Sequence, residues 1–125
     1  MQATVKKLKP EAEYFFVEGC FINELHNAVD DPALSIAQAR LEPGRVTRWH
    51  RLRDVTERYV ITAGSGHVEV GDLPAQLVGP GDTVIIPPGE RQRIANAGEE
   101  DLVFLALCTP RLTEDAYEDV DDTPA

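Results

Sequence analysis

The chain has 125 residues, 42% of them apolar, and a net charge of −10. That length suits one domain with its own core, and the apolar share excludes a wholly disordered chain. The charge speaks against nucleic acid as a partner, because phosphates are repelled. No apolar run is long enough for a membrane span.

Glycine and proline punctuate short apolar runs along the chain, which is the habit of an all-β protein. Residues 1–13 form an N-terminal segment without the apolar core of a signal peptide. "YFFVEGCFINEL" (14–25) reads as two short strands around Glu18-Gly19, and "NAVDDPA" (27–33) as a loop. "LSIAQARL" (34–41) and "RVTRWHRL" (45–52) read as strands on either side of Glu42-Pro43-Gly44. "ERYVIT" and "HVEVG" flank Ala63-Gly64-Ser65-Gly66, which predicts a hairpin turn. "AQLV" and "TVII" flank a second tight turn at Gly79-Pro80-Gly81-Asp82. "RQRIAN" and "DLVFLALC" are the last strands, with a turn from Asn96 to Asp101. Roughly nine strands at this spacing predict a sandwich or barrel over 14–112. Residues 113–125 hold six acidic residues and no basic one, and read as a solvated acidic tail with a helical turn around "TEDAYEDV".

Alternation places Arg48, His50 and Leu52 on one face of their strand. Glu57 opens the next strand and can meet His50 across a hairpin. Gln92 shares its face with Ile94 and Asn96. Gly44, His50, Glu57 and Gly64 match a spaced pattern: glycine, five residues, a histidine pair separated by one, four residues, glutamate, six residues, glycine. Gly81, Pro87, Gly89, Gln92 and Asn96 match a second: glycine, five residues, Pro-x-Gly, two residues, a position usually histidine, three residues, asparagine. In these two motifs the chain resembles the small single-domain cupins. The resemblance implies one jelly-roll β-barrel, a divalent metal held by three histidines and a glutamate, and often a homodimer.

Two of the four implied ligand positions are intact. Leu52 stands at the second histidine and Gln92 at the third. Leucine cannot ligate; glutamine can, weakly, through its amide oxygen. One reading is therefore a reduced metal site of His50, Glu57 and Gln92 for Fe, Mn, Ni or Zn, with open positions for a small polar substrate. Oxygenase, isomerase and lyase chemistry all stay open. The other reading is a metal-free polar pocket that binds or senses a small organic acid or sugar without catalysis.

Arg48 is a candidate clamp for a substrate carboxylate or phosphate, or else an arginine paired with an acid. Tyr59, on the Glu57 face, is a candidate proton donor or a core tyrosine. Cys20 and Cys108 read as reduced, buried thiols, which suits a soluble cytoplasmic protein. His67 reads as exposed, and His26 as a surface residue able to stand in for the missing ligand. Trp49 and Arg51 face away from the barrel, where a tryptophan marks a partner surface or lies under the N-terminal segment.

Overall fold

The short apolar runs become strands in the computed structural model, which describes residues 1–124. Ala125, the last residue of the expected tail, lies outside the described residues. The strands are β1 (Tyr14–Phe16), β2 (Cys20–His26), β3 (Ser35–Leu41), β4 (His50–Leu52), β5 (Thr56–Ala63) and β6 (Gly66–Val70). They continue with β7 (Gln76–Val78), β8 (Thr83–Ile86), β9 (Gln92–Asn96), β10 (Leu102–Thr109) and β11 (Tyr117–Asp119). One sheet runs β1-β2-β3-β10-β5-β8 and the other β11-β4-β9-β6-β7, all paired antiparallel. This is the expected all-β, jelly-roll-type barrel.

The hydrophobic alternation decides which face is inside. Along β5, Glu57, Tyr59 and Ile61 are buried while Thr56, Arg58 and Val60 are partly open. On β9 the buried set is Gln92, Ile94 and Asn96. Ile61, Ile86, Ile94, Leu102 and Phe104 then fill the space between the two sheets.

Sequence and structure part at the connections. Both strands of a hairpin must lie in one sheet, and only β1–β2, β2–β3 and β6–β7 do so among the described residues. The turns at Ala63–Gly66, Gly79–Asp82 and Asn96–Asp101 instead carry the chain from one sheet to the other. Gly64 shows why the first needs glycine: φ is +77°, and a Cβ would sit 2.5 Å from the Asp101 carbonyl oxygen. The same correction applies to His50 and Glu57. They do not meet along a hairpin but face each other from opposite sheets.

Two further expectations change. The strand expected over 45–52 is regular only at His50–Leu52, with an isolated bridge from Val46 to Ala95. The acidic tail is not a solvated extension. After a single 3₁₀ turn at Glu114–Ala116 it forms β11, which pairs with β4 in the register Tyr117–Leu52, Glu118–Arg51 and Asp119–His50. Its acidity is met by β4 and the residues before it: Arg48 Nε donates to Asp119 Oδ2 at 2.6 Å and Arg51 Nη2 to Glu118 Oε1 at 2.8 Å. The Trp49 backbone N–H donates to Asp121 Oδ2 at 2.8 Å.

Candidate functional site

A cavity of about 800 Å³ opens between the sheets at the end that β11 covers. Its walls come from β1 to β5, β10 and the C-terminal segment, and include Glu18, His50, Glu57, Tyr59, Cys108 and Tyr117. Most remaining wall residues are apolar, which is the usual make-up of a small-molecule site with a few oriented polar groups.

His50 is nearly fully buried. Its Nδ1 lies 2.7 Å from the Arg48 backbone carbonyl. A carbonyl oxygen only accepts, so Nδ1 carries the hydrogen. That leaves Nε2 facing Glu18 Oε2 at 3.2 Å. At that distance a proton on Nε2 would make the two an ion pair. The Tyr117 ring stacks on the imidazole, with centroids 5.3 Å apart and planes 22° from parallel.

Behind this pair lies a buried relay. Tyr59 O–H donates to Gln92 Oε1. Gln92 Nε2 donates to Glu57 Oε1 at 2.8 Å, and the Cys108 thiol to Glu57 Oε2 at 3.7 Å. Burial pushes the Glu57 carboxyl above its ordinary value, against the pull of His50. Burial likewise pushes the Tyr59 phenol and the Cys108 thiol up, so both keep their protons at neutral pH.

The expected metal ligands thus come together, but not as a cage. Gln92 is His50's direct register partner and is wholly buried. Its amide oxygen accepts from Tyr59 and its amide nitrogen donates to Glu57, so the side chain is already held at both ends. Leu52, at the second histidine position, packs into a small apolar cluster with Val55, Cys108 and Ala116, against Leu112 and Tyr117. A histidine there would have to displace the C-terminal segment's contacts. Among the described residues, no three His, Cys, Asp or Glu side chains converge on one point that could hold a metal ion. Of the reduced ligand set, Gln92 as arranged is hydrogen-bonded to Tyr59 and Glu57.

The chain matches the family model described as a cupin domain over residues 37–108, more than half its length. This protein belongs to the cupin family. No curated protein matches it. A conserved Klebsiella pneumoniae protein with a double-stranded β-helix domain is 13% identical, with a TM-score of 0.77 over 95% of this chain and 100% of that one. Pac13, a Streptomyces nucleoside dehydratase, is 18% identical, with a TM-score of 0.75 over 94% and 92%. Lactobacillus farciminis oxalate decarboxylase is 19% identical, with a TM-score of 0.74, over 86% of this chain but 33% of its own. At these identities the likeness is one of fold.

Other expected site residues land elsewhere in the cupin. The Arg48 side chain does not line the cavity: it holds Asp119 and the Thr123 carbonyl oxygen, so the acid-paired alternative describes it. Tyr59 does line the cavity, but its hydroxyl hydrogen goes to Gln92. His26 is held by Asp31 at 2.7 Å and does not reach the barrel interior. His67 is exposed. Trp49 lies outside, with Arg91 and Arg93 on its ring at 4.5 Å each, rather than under the N-terminal segment. Asn96 serves the fold: its Nδ2 donates to the carbonyls of Leu41 and Glu100, both at 2.8 Å.

Two site residues escaped the sequence reading. Glu18 sits in the β1–β2 turn and looked like strand punctuation. Tyr117 lay inside a segment whose acidity read as solvated. The only available signal for Tyr117 was the run of arginines at 48, 51 and 53, able to bind an acidic strand.

Proposed function

We propose that this cupin binds a small polar metabolite in the barrel cavity and acts on it by proton transfer at the Glu18–His50 pair. The observation that carries the reading is the 3.2 Å approach of Nε2 to Glu18 Oε2, with Nδ1 already committed to a carbonyl. Such a pair holds one labile proton at the wall of a largely apolar cavity, where it can act as acid or base. Glu57, pushed toward its neutral form, lies close enough for its charge state and that of His50 to influence one another.

The reaction class this favours is elimination or isomerisation. In an elimination the pair removes a proton from ligand carbon, the C–H electrons form the new double bond, and a protonated group of the site delivers a proton to the departing oxygen. Electrons balance without an oxidant. That Pac13 is named a nucleoside dehydratase and another neighbour an oxalate decarboxylase agrees with lyase-type chemistry on this barrel. No step is routed through a metal; Gln92 is engaged by Tyr59 and Glu57.

Thermal-shift screening of metabolite classes in chelator tests the reading, because a ligand of the native state raises Tm by mass action. At least one class should raise Tm, and His50→Gln and Glu18→Gln should each abolish the shift and any turnover. Hits unaffected by both substitutions, or no hit in any class, would overturn it. Parallel titration with Fe(II), Mn(II), Ni(II) and Zn(II) covers the metal alternative. Tight binding lost in both His50→Gln and Glu57→Gln would replace acid–base chemistry with a metal centre.

A further inference from the structure

The Tyr117 hydroxyl is buried, has no hydrogen-bond partner, and belongs to a residue that lines the cavity. A buried hydroxyl without a partner is costly, and native structures rarely keep one unless something else satisfies it. The position of this one is specific. Its ring lies against His50, with Phe16 packed edge-on at 5.2 Å. Burial, and after it the charge of Glu18, the partner of His50, keeps the phenol protonated. Tyr117 and Glu18 both line the cavity and both lie against His50, so around that imidazole the cavity offers one unused O–H donor and a carboxylate acceptor.

The charge of the walls narrows what can enter. Glu18, Glu24, Glu57 and Glu114 line the cavity, against His50 and Arg111. Arg111 Nη1 donates to Asn27 Oδ1 at 2.8 Å, and even with Glu57 pushed toward its neutral form the carboxylates Glu18, Glu24 and Glu114 outnumber that single guanidinium. An organic acid meets repulsion here. An ammonium group supplies only donors, so it suits Glu18 and leaves the Tyr117 hydrogen unpaired. A hydroxyl group both accepts and donates, and one hydroxyl can satisfy both residues.

We propose that the cavity takes a neutral, hydroxylated ligand such as a sugar, a nucleoside or another polyol, one of whose hydroxyls bridges Tyr117 and Glu18. Tyr117 is then a ligand-binding residue supplied by the C-terminal segment. The inference rests on the Glu18–His50 reading and adds to it the class of ligand.

The test is calorimetric titration of the full chain with a pentose, a hexose and a nucleoside, each beside its carboxylate-bearing and amine-bearing counterpart. A neutral member should bind, its carboxylate counterpart about tenfold or more weaker, and its amine counterpart no tighter. Tyr117→Phe should weaken the neutral ligand by about five- to tenfold, the scale of one lost hydrogen bond. The free variant should unfold at the same or a higher temperature, since the orphan hydroxyl is gone. Three results would overturn the proposal: tightest binding by the acid members, tightest binding by the amine members, or an unchanged affinity in Tyr117→Phe. If charged members bind and His50→Gln abolishes their binding, the ligand class falls while the proton-transfer reading stands. If no member binds at all, the ligand class falls, and the thermal-shift screen of the other classes decides whether the proton-transfer reading falls with it.

Discussion

Glu57 and the acidic residues of β11 are the same chemical group in opposite situations. Glu57 is buried, accepts from the neutral donors Gln92 and Cys108, and is pushed toward its protonated form. Asp119 is held low by the Arg48 guanidinium, and Glu118 by Arg51. Asp121 is held low by the Thr123 hydroxyl and by the backbone N–H groups of Thr123 and Trp49. The strand carboxylates are thus fixed as charges that fasten a segment, while the barrel carboxyl is left able to change its charge. A carboxyl moved upward inside a cavity is a candidate for chemistry; one moved downward by arginine is a fastening.

Gln92→Leu should break this comparison most severely. It strands the Tyr59 hydroxyl and Glu57 Oε1 together in the barrel, and two buried polar groups without partners cost about 3 kcal/mol in all. Urea denaturation would measure it; a loss well below about 1 kcal/mol would mean that the relay does not hold Glu57 in place.

The pH dependence comes next, and the two regions should oppose each other. For Glu57 the folded value lies above the unfolded one near 4.5. Its contribution to stability is complete below that value and is lost as pH rises through the folded value. Asp119 and Asp121 lie below their unfolded value near 3.8. Their contribution is present above 3.8 and is lost as pH falls through the folded values. Tm followed from acid to alkaline pH should therefore decline at both ends. Glu57→Gln should flatten the upper decline alone, and the double variant Asp119→Asn, Asp121→Asn the lower one alone.

Arg48→Ala should have the smallest effect on Tm, because exposed ion pairs contribute little. It should still be visible locally. Amide exchange at Glu118 to Val120 should quicken several-fold, with the barrel strands unchanged, since β11 loses a clasp rather than its core contacts. Equal loss of protection across β5 and β10 would show that the segment is part of the barrel's cooperative unit.

Much of the barrel was legible from alternation and motif spacing. His50, Glu57, Gln92 and Asn96 all point inward, as period-two strands require. The connections were not legible, because glycine-rich turns serve a hairpin and a sheet crossing equally well. Nothing local distinguishes Ala63–Gly66 from the true hairpin at β6–β7. Glu18 was hidden for a related reason: its partner lies thirty-two residues away, and only the closing of one sheet over the other brings them together. For Arg48 alternation suggested the barrel face, but the strand is regular only from His50, and the acid-paired alternative describes the side chain. The acidic segment was misread because its charge was counted without the arginines that answer it.

The place of β11 in the chain has a consequence for how the site comes into being. Every other wall of the cavity is contributed by residues up to Glu114, but Tyr117 and its stacking on His50 arrive only when β11 has paired with β4. That pairing joins residues more than sixty apart in sequence, and so does the pairing of β3 with β10 in the other sheet. The place where a ligand would sit is thus assembled from the chain's longest-range pairings, the kind that form slowly.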